Sequence, residues 1–108
     1  MNKHNFRKLI IWQESIELVI DSYELTKFFP SEEKFGLTSQ LNRCAISIPS
    51  NIAEGTSKSS WKHFKTFLET SLGSAFEWET QLIIALRIGY INQTKFDYLE
   101  NRINKIQN

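Results

Sequence analysis

The stretch AISIPSNIAEGTSKSS, Ala45 to Ser60, decides how this chain is read. Its apolar residues recur at helical steps, yet Pro49 stands where a helix interior would be, and a Gly/Ser-rich segment closes it. Either it is a loop presenting Ser, Asn and Glu for chemistry, or it is a helix that runs through a proline. Setting residues 37–54 on a wheel at about 100° per residue separates the two readings. Leu37, Leu41, Cys44, Ala45, Ile48 and Ile52 fall within one arc of about 100°, a core face. Gln40, Arg43, Ser47, Ser50, Asn51 and Glu54 form an adjoining arc that is wholly polar. Asn42, Ile46, Pro49 and Ala53 fill a third face, neither strongly polar nor large. The sorting continues across Pro49, so the helix is expected to continue and to kink there, because proline removes a backbone hydrogen bond and crowds the carbonyl of Ala45. Such a proline costs a helix interior about 3 kcal/mol relative to Ala. Two reasons for it stay open: the bend wraps the helix around its neighbours, or the freed carbonyls of Ala45 or Ile46 serve a partner.

Three further helices flank this one. The first is expected over about 6–29, ended by Pro30, since a residue before proline disfavours the α region. Its main apolar stripe is Leu9, Trp12, Ile16, Val19, Ile20 and Tyr23. Ser31 can cap a short acidic turn, SEEKFG. The second helix covers about 37–54 and the third about 59–88, with Gly89 as its C-terminal cap. The third carries the cleanest seam: Trp61, Phe64, Leu68, Ser71, Ala75, Trp78, Leu82, Ala85 and Gly89. The last, about 93–107, starts after Asn92, a good N-cap, and buries Phe96, Leu99, Ile103 and Ile106. Short linkers make neighbours antiparallel, so the expected fold is all-α: a single-domain, up-down-up-down four-helix bundle spanning 1–108, kinked at Pro49.

Composition supports one domain with a true core: 108 residues, 41% hydrophobic and 13% aromatic. Thirteen basic residues stand against 12 acidic ones, so any nucleic-acid site must come from local clustering or from assembled copies. Cys44 is the sole cysteine, which excludes an internal disulfide and fits a reducing cytoplasm. The basic-then-apolar start is broken by Gln13, Glu14 and Glu17 and has no small-residue cleavage site, so it does not read as a signal peptide. No stretch approaches the ~18 apolar residues of a membrane span. A soluble cytoplasmic domain is expected.

Enzymatic chemistry finds few parts. The polar arc of the second helix would need a base and an oxyanion donor, but His4 and His63 lie outside it with no adjacent carboxylate. As structure, its hydroxyls permit close helix approach, and Asn51 and Glu54 can bond helix ends or Arg43. The histidines lack metal-ligand spacing, and there is no Gly-rich phosphate loop or Cys pair. Glu77 and Glu79, two apart, cannot share a helix face; with Glu69 they read as salt-bridge partners. Cys44 belongs to the core arc. No catalytic residue, metal or cofactor is expected.

The sequence FRKLIIWQ near the start, FGLTSQL before the second helix, SIPSNIAEG at the proline, and ETQL with GY in the third helix occur in this order. Together, over about residues 6–91, they resemble the S23 or 23S rRNA intervening-sequence protein family, which is related to the accessory variability protein of diversity-generating retroelements. The resemblance implies a four-helix bundle assembled as a ring-like homopentamer, without known enzymatic activity. In the retroelement relative the ring binds a reverse transcriptase and nucleic acid, partly through a basic surface. Arg43, Ser47, Pro49, Ser50, Asn51, Glu54 and Gly55 form the structural signature. Family members commonly carry two basic residues where this chain has Asn42 and Arg43, and a basic residue soon after AEG, where it has Thr56, Ser57 and Lys58.

Two features speak to partners. Helix one carries a second stripe, Ile11, Ser15, Leu18, Ser22, Leu25 and Phe29, alternating large and small at heptad spacing. It is expected to face another subunit, unless a broad core face absorbs both stripes. The stretch KSSWKHFK interleaves bases and aromatics, a pattern compatible with single-stranded nucleic acid. Lys58, Lys62 and Lys65 are expected on one face, joined by Arg7 and Lys8; lysines at a helix start oppose the macrodipole and are not there for helix stability. Trp61 and Phe64 lie on the core seam and are expected to be buried, leaving a phosphate patch or merely a solvated lysine face. The leading expectation is a non-enzymatic, oligomeric scaffold or adaptor for RNA or an RNA-handling protein such as a reverse transcriptase. The alternative is a protein-interaction module without nucleic-acid contact.

Overall fold

The computed structural model describes residues 5–108, so His4 lies outside the described residues. It contains α1 (Ile10–Thr26), α2 (Leu37–Thr56), α3 (Trp61–Arg87) and α4 (Gln93–Gln107), with short 3-10 turns at Phe6–Lys8 and Ser31–Glu33. No strand occurs among the described residues. α1 packs on α2 and α4, and α3 on α2 and α4, which closes four helices around one core. Ascending positions on one helix meet descending positions on the next: Cys44, Ser47 and Gly55 of α2 lie against Gln81, Ser74 and Phe64 of α3.

Local chemistry sets the boundaries. α1 begins later than the apolar pattern suggests, because Asn5 caps the turn at Phe6–Lys8 and Leu9 is extended. It ends at Thr26, and the N–H groups of Phe28 and Phe29 close a tight turn onto Leu25 and Thr26 before Pro30. α2 runs through Pro49 without a break. Ser60 caps α3, its Oγ accepting from the His63 N–H at 3.2 Å, and Asn92 caps α4 in the same way at 2.8 Å. Gly89 follows α3 with φ +88°, the left-handed region that favours glycine.

The core corrects the reading of α1. The large-and-small seam expected to meet another subunit faces inward: Ser15, Leu18, Ser22, Leu25 and Phe29 are buried and Ile11 is half-buried. The stripe expected to be core flanks it, with Leu9, Trp12, Ile16 and Val19 half-buried and Ile20 and Tyr23 exposed. The reason is steric and polar. Trp78, the largest fully buried side chain, comes from α3 and meets the small, buried Ser22 of α1. Its Nε1 donates to Ser22 Oγ at 3.1 Å, Ser22 donates to Asn42 Oδ1 at 2.8 Å, and Asn42 Nδ2 donates to Thr26 Oγ1 at 3.0 Å. A buried indole N–H needs a partner, and this chain of bonds supplies one while linking α1, α2 and α3.

Candidate nucleic-acid interface

Two residues of the polar arc of α2, Ser47 and Asn51, form a helix-to-helix contact, and the rest face outward. Ser47 Oγ lies 2.8 Å from Ser74 Oγ of α3, and Asn51 Nδ2 donates to both the Ser47 carbonyl and its hydroxyl. Ser71 of α3 donates to the Ile48 carbonyl, one residue before Pro49. Arg43, Ser50 and Glu54 are exposed and make no side-chain ion pair with one another. Ser47, Asn51 and their α3 partners therefore satisfy one another, and His63, the one histidine among the described residues, lies outside the cluster. Cys44 accepts from Gln81 Nε2 at 3.7 Å, and burial pushes its thiol up from the ordinary range. Among the described residues no group of three or more His, Cys, Asp or Glu side chains could hold a metal ion. One serine–histidine contact that spacing missed does form, Ser60 Oγ to His63 Nδ1 at 2.8 Å. It is exposed and is part of the α3 cap.

Gly55 explains the next step of the chain. A Cβ there would lie 2.9 Å from Phe64 Cδ1 and 3.0 Å from Phe67 Cβ, closer than side chains approach. The bare glycine lets the first turns of α3 lie on the end of α2, with Phe64 and Phe67 half-buried in the contact. Trp61 is then left without a partner on α2. With Ile48 against Ser71 and Gly55 against Phe64, the position facing Trp61 falls in the turn beyond α2. Its indole is 65% exposed, tilted against Phe64 with ring centroids 5.3 Å apart. The expectation that Trp61 is buried is thus corrected: its seam position is right, but the helix it would pack on has ended. Gly89, at the other end of that seam, is exposed as well.

The lysines are also rearranged. Lys58 belongs to the turn, not to a face of α3, and its ammonium sits 5.0 Å from the centre of the Phe67 ring. Lys62 and Lys65 are exposed on the first turns of α3. Arg7 and Lys8 are exposed on the 3-10 turn that packs against α1 and α2, and Arg7 lies 5.4 Å from the Phe6 ring centre. Phe6 packs edge-on to Trp12, which shares an outer groove with Ala53, so this turn sits toward the same end of the bundle. From Gly55 to Leu68 the chain has three lysines, one histidine and no carboxylate. None of the five basic residues forms a salt bridge among the described residues.

A family profile described as 23S rRNA-intervening sequence protein matches residues 7–108. The chain belongs to this family. A crystal structure of a family relative from Bacteroides thetaiotaomicron, described as a protein with unknown function from the S23 ribosomal protein family, superposes with a TM-score of 0.84. The two sequences are 28% identical, and the alignment covers 91% of this chain and 92% of that one. No curated protein matches the chain. Membership in the 23S rRNA-intervening sequence protein family therefore rests on nearly the whole chain, the Arg7–Lys8 turn and the lysine-bearing start of α3 included. No helix among the described residues is long and apolar enough to cross a membrane.

Proposed function

We propose that this member of the family is a non-enzymatic, self-associating helical scaffold that binds RNA through the basic end of its bundle. The observation that carries the reading is the carboxylate-free run from Gly55 to Leu68, whose lysines form no ion pair among the described residues and share an end with Arg7 and Lys8. Charges without internal partners are available to phosphates. The net charge of only +1 makes repetition useful, because a ring of copies, which the family resemblance implies as a pentamer, multiplies a modest patch. Self-association fits the outer groove between α1 and α2, lined by Trp12, Ile16, Val19, Ile46, Pro49 and Ala53 with Ser50 as the one polar member. Arg43 and Ile46 line the adjoining groove beside Tyr23. The test is a salt titration of RNA binding by the purified protein. Affinity should fall steeply as salt rises, with a slope that drops when Lys62 and Lys65 are neutralised. Salt-independent binding, or none at low salt, overturns the RNA reading.

A second reading has its own observation. Leu72, Phe76, Ile83 and Ile84 are exposed along α3, and Phe28 and Phe35 stand 83% and 88% exposed in the connections around α1 and α2. Exposed apolar side chains in this number suit a protein-interaction module, and an RNA-handling protein such as a reverse transcriptase is the partner that the family resemblance suggests. Mixed-sign charge around the assembled bundle favours this reading; a continuous basic surface favours RNA.

A further inference from the structure

We infer that Trp61 is a base-stacking residue and that the nucleic acid taken by this end of the bundle is single-stranded. The inference rests on the RNA reading above and goes beyond it by naming the form of the ligand and the residue that selects it. Tryptophan is an uncommon residue to leave in water, and here the cause is structural: α2 ends at Thr56, before the position that would face it. The side chain is nevertheless held. Its backbone is the first residue of a capped helix, and its ring leans on Phe64, which is itself wedged over Gly55. A large aromatic surface that is both oriented and open meets the requirement for stacking on an unpaired base, because little freedom is lost when the base arrives.

Charge complements the ring. Lys62 follows it directly, and Lys65 lies one helical turn on, where side chains of positions i and i+4 are neighbours. Lys58 approaches from the turn, held over Phe67. The ring is thus set among ammonium groups with no carboxylate between them, the combination that binds single strands with little sequence preference. A double helix offers no such match. Its base faces are stacked within the duplex, and extruding one costs a few kcal/mol before any contact with the indole is made.

Fluorescence anisotropy separates this inference from the reading beneath it. The probes are an unstructured single-stranded RNA of about 12 nucleotides and an RNA duplex of the same length, each dye-labelled and titrated with the full chain at low salt. Trp61→Ala should weaken single-strand binding roughly five- to 150-fold, leave duplex binding and the salt slope unchanged, and be largely rescued by Trp61→Phe. Neutralising Lys62 and Lys65 to Gln should weaken both probes and lower the salt slope. If Trp61→Ala binds the single strand like the native chain while the lysine variant fails on both probes, stacking is wrong and the phosphate reading stands. If the native chain binds neither probe, both are wrong. Trp61 is exposed, so its variants should keep the native melting temperature; a loss of affinity that tracks a lowered melt would count against stacking.

Discussion

Asn42 is the residue through which three helices are held together. It accepts from Ser22 and donates to Thr26 on α1, and Ser22 in turn satisfies the indole N–H of Trp78 on α3. Removing it leaves two α1 hydroxyls with a lost partner in a half-buried to buried setting, so Asn42→Ala should cost about 1–3 kcal/mol in urea denaturation. Arg43→Ala, one residue away on the exposed side, should fall within about 0.5 kcal/mol of the native chain. Equal effects at the two positions would mean that the network carries no weight. Gly55→Ala should be worse tolerated than its small size suggests, because the added methyl strikes Phe64 and Phe67. A thermal melt should show a loss of roughly 1–3 kcal/mol, as for overpacking elsewhere. None of this was visible in composition. Asn42 fell on a face with no strong character, and the wheel gives no sign that its amide is aimed at Ser22.

At the scale of elements, caps were the most legible feature. Asn92 and Gly89 are local choices, satisfied within one turn, so sequence is enough to place them; Ser31 does not cap its acidic turn, where Pro30 holds the cap position without a side-chain bond. The inward face of α1 was not. Two stripes of comparable apolarity run along that helix, and which one enters the core depends on what the other helices bring to it. A Trp on α3 and an Asn on α2 select the stripe with serines. Trp61 failed for a related reason: the α3 seam gives the face, but only the end of α2 says where that face stops being covered. Pro49 poses the open structural test. It is buried yet lines the outer groove, so restoring an N–H with Pro49→Ala should relieve up to about 3 kcal/mol of helix penalty while altering the groove and, if copies associate there, assembly. Unchanged assembly with raised stability would show that a bend is dispensable. Between α1 and α4, Arg102 Nε stands 3.1 Å from Asp21 Oδ2 without the alignment of a hydrogen bond, and Arg102 Nη1 stands 3.8 Å from Glu14 Oε2. Desolvation outweighs the attraction of Arg102, so the Asp21 carboxyl is raised above its ordinary 3.8. The folded state therefore holds this proton more tightly than the unfolded chain, and the contribution is lost as pH rises through the raised value. Asp21→Asn, which resembles the protonated form, should gain on the native chain as pH climbs above 3.8, read as a widening difference in urea midpoint. A difference that narrows instead would assign the dominant role to Arg102.

For the whole molecule, a carboxylate-free lysine cluster lies at the end where α2 meets α3, and apolar side chains are exposed along the outside of α1, α2 and α3. If copies associate through the α1–α2 groove, Ile46→Glu should yield a monomer in light scattering with little change in melting, since Ile46 is 42% exposed. Leu18→Glu, at a fully buried site, should unfold the chain instead. A native chain that is monomeric at micromolar concentration sinks the assembly proposal. The three tryptophans occupy these regions one apiece: Trp78 in the sealed interior, Trp12 half-covered in the outer groove, Trp61 bare at the basic end. The molecule thereby carries three optical reporters, each tied to a different event. A red shift of the blue-edge emission should follow opening of the core; if copies associate, the intermediate component should change, and if a nucleobase stacks on Trp61, the long-wavelength, acrylamide-accessible component should be quenched. Unfolding, and the proposed assembly and binding, would then each have a separate emission signature in unlabelled protein.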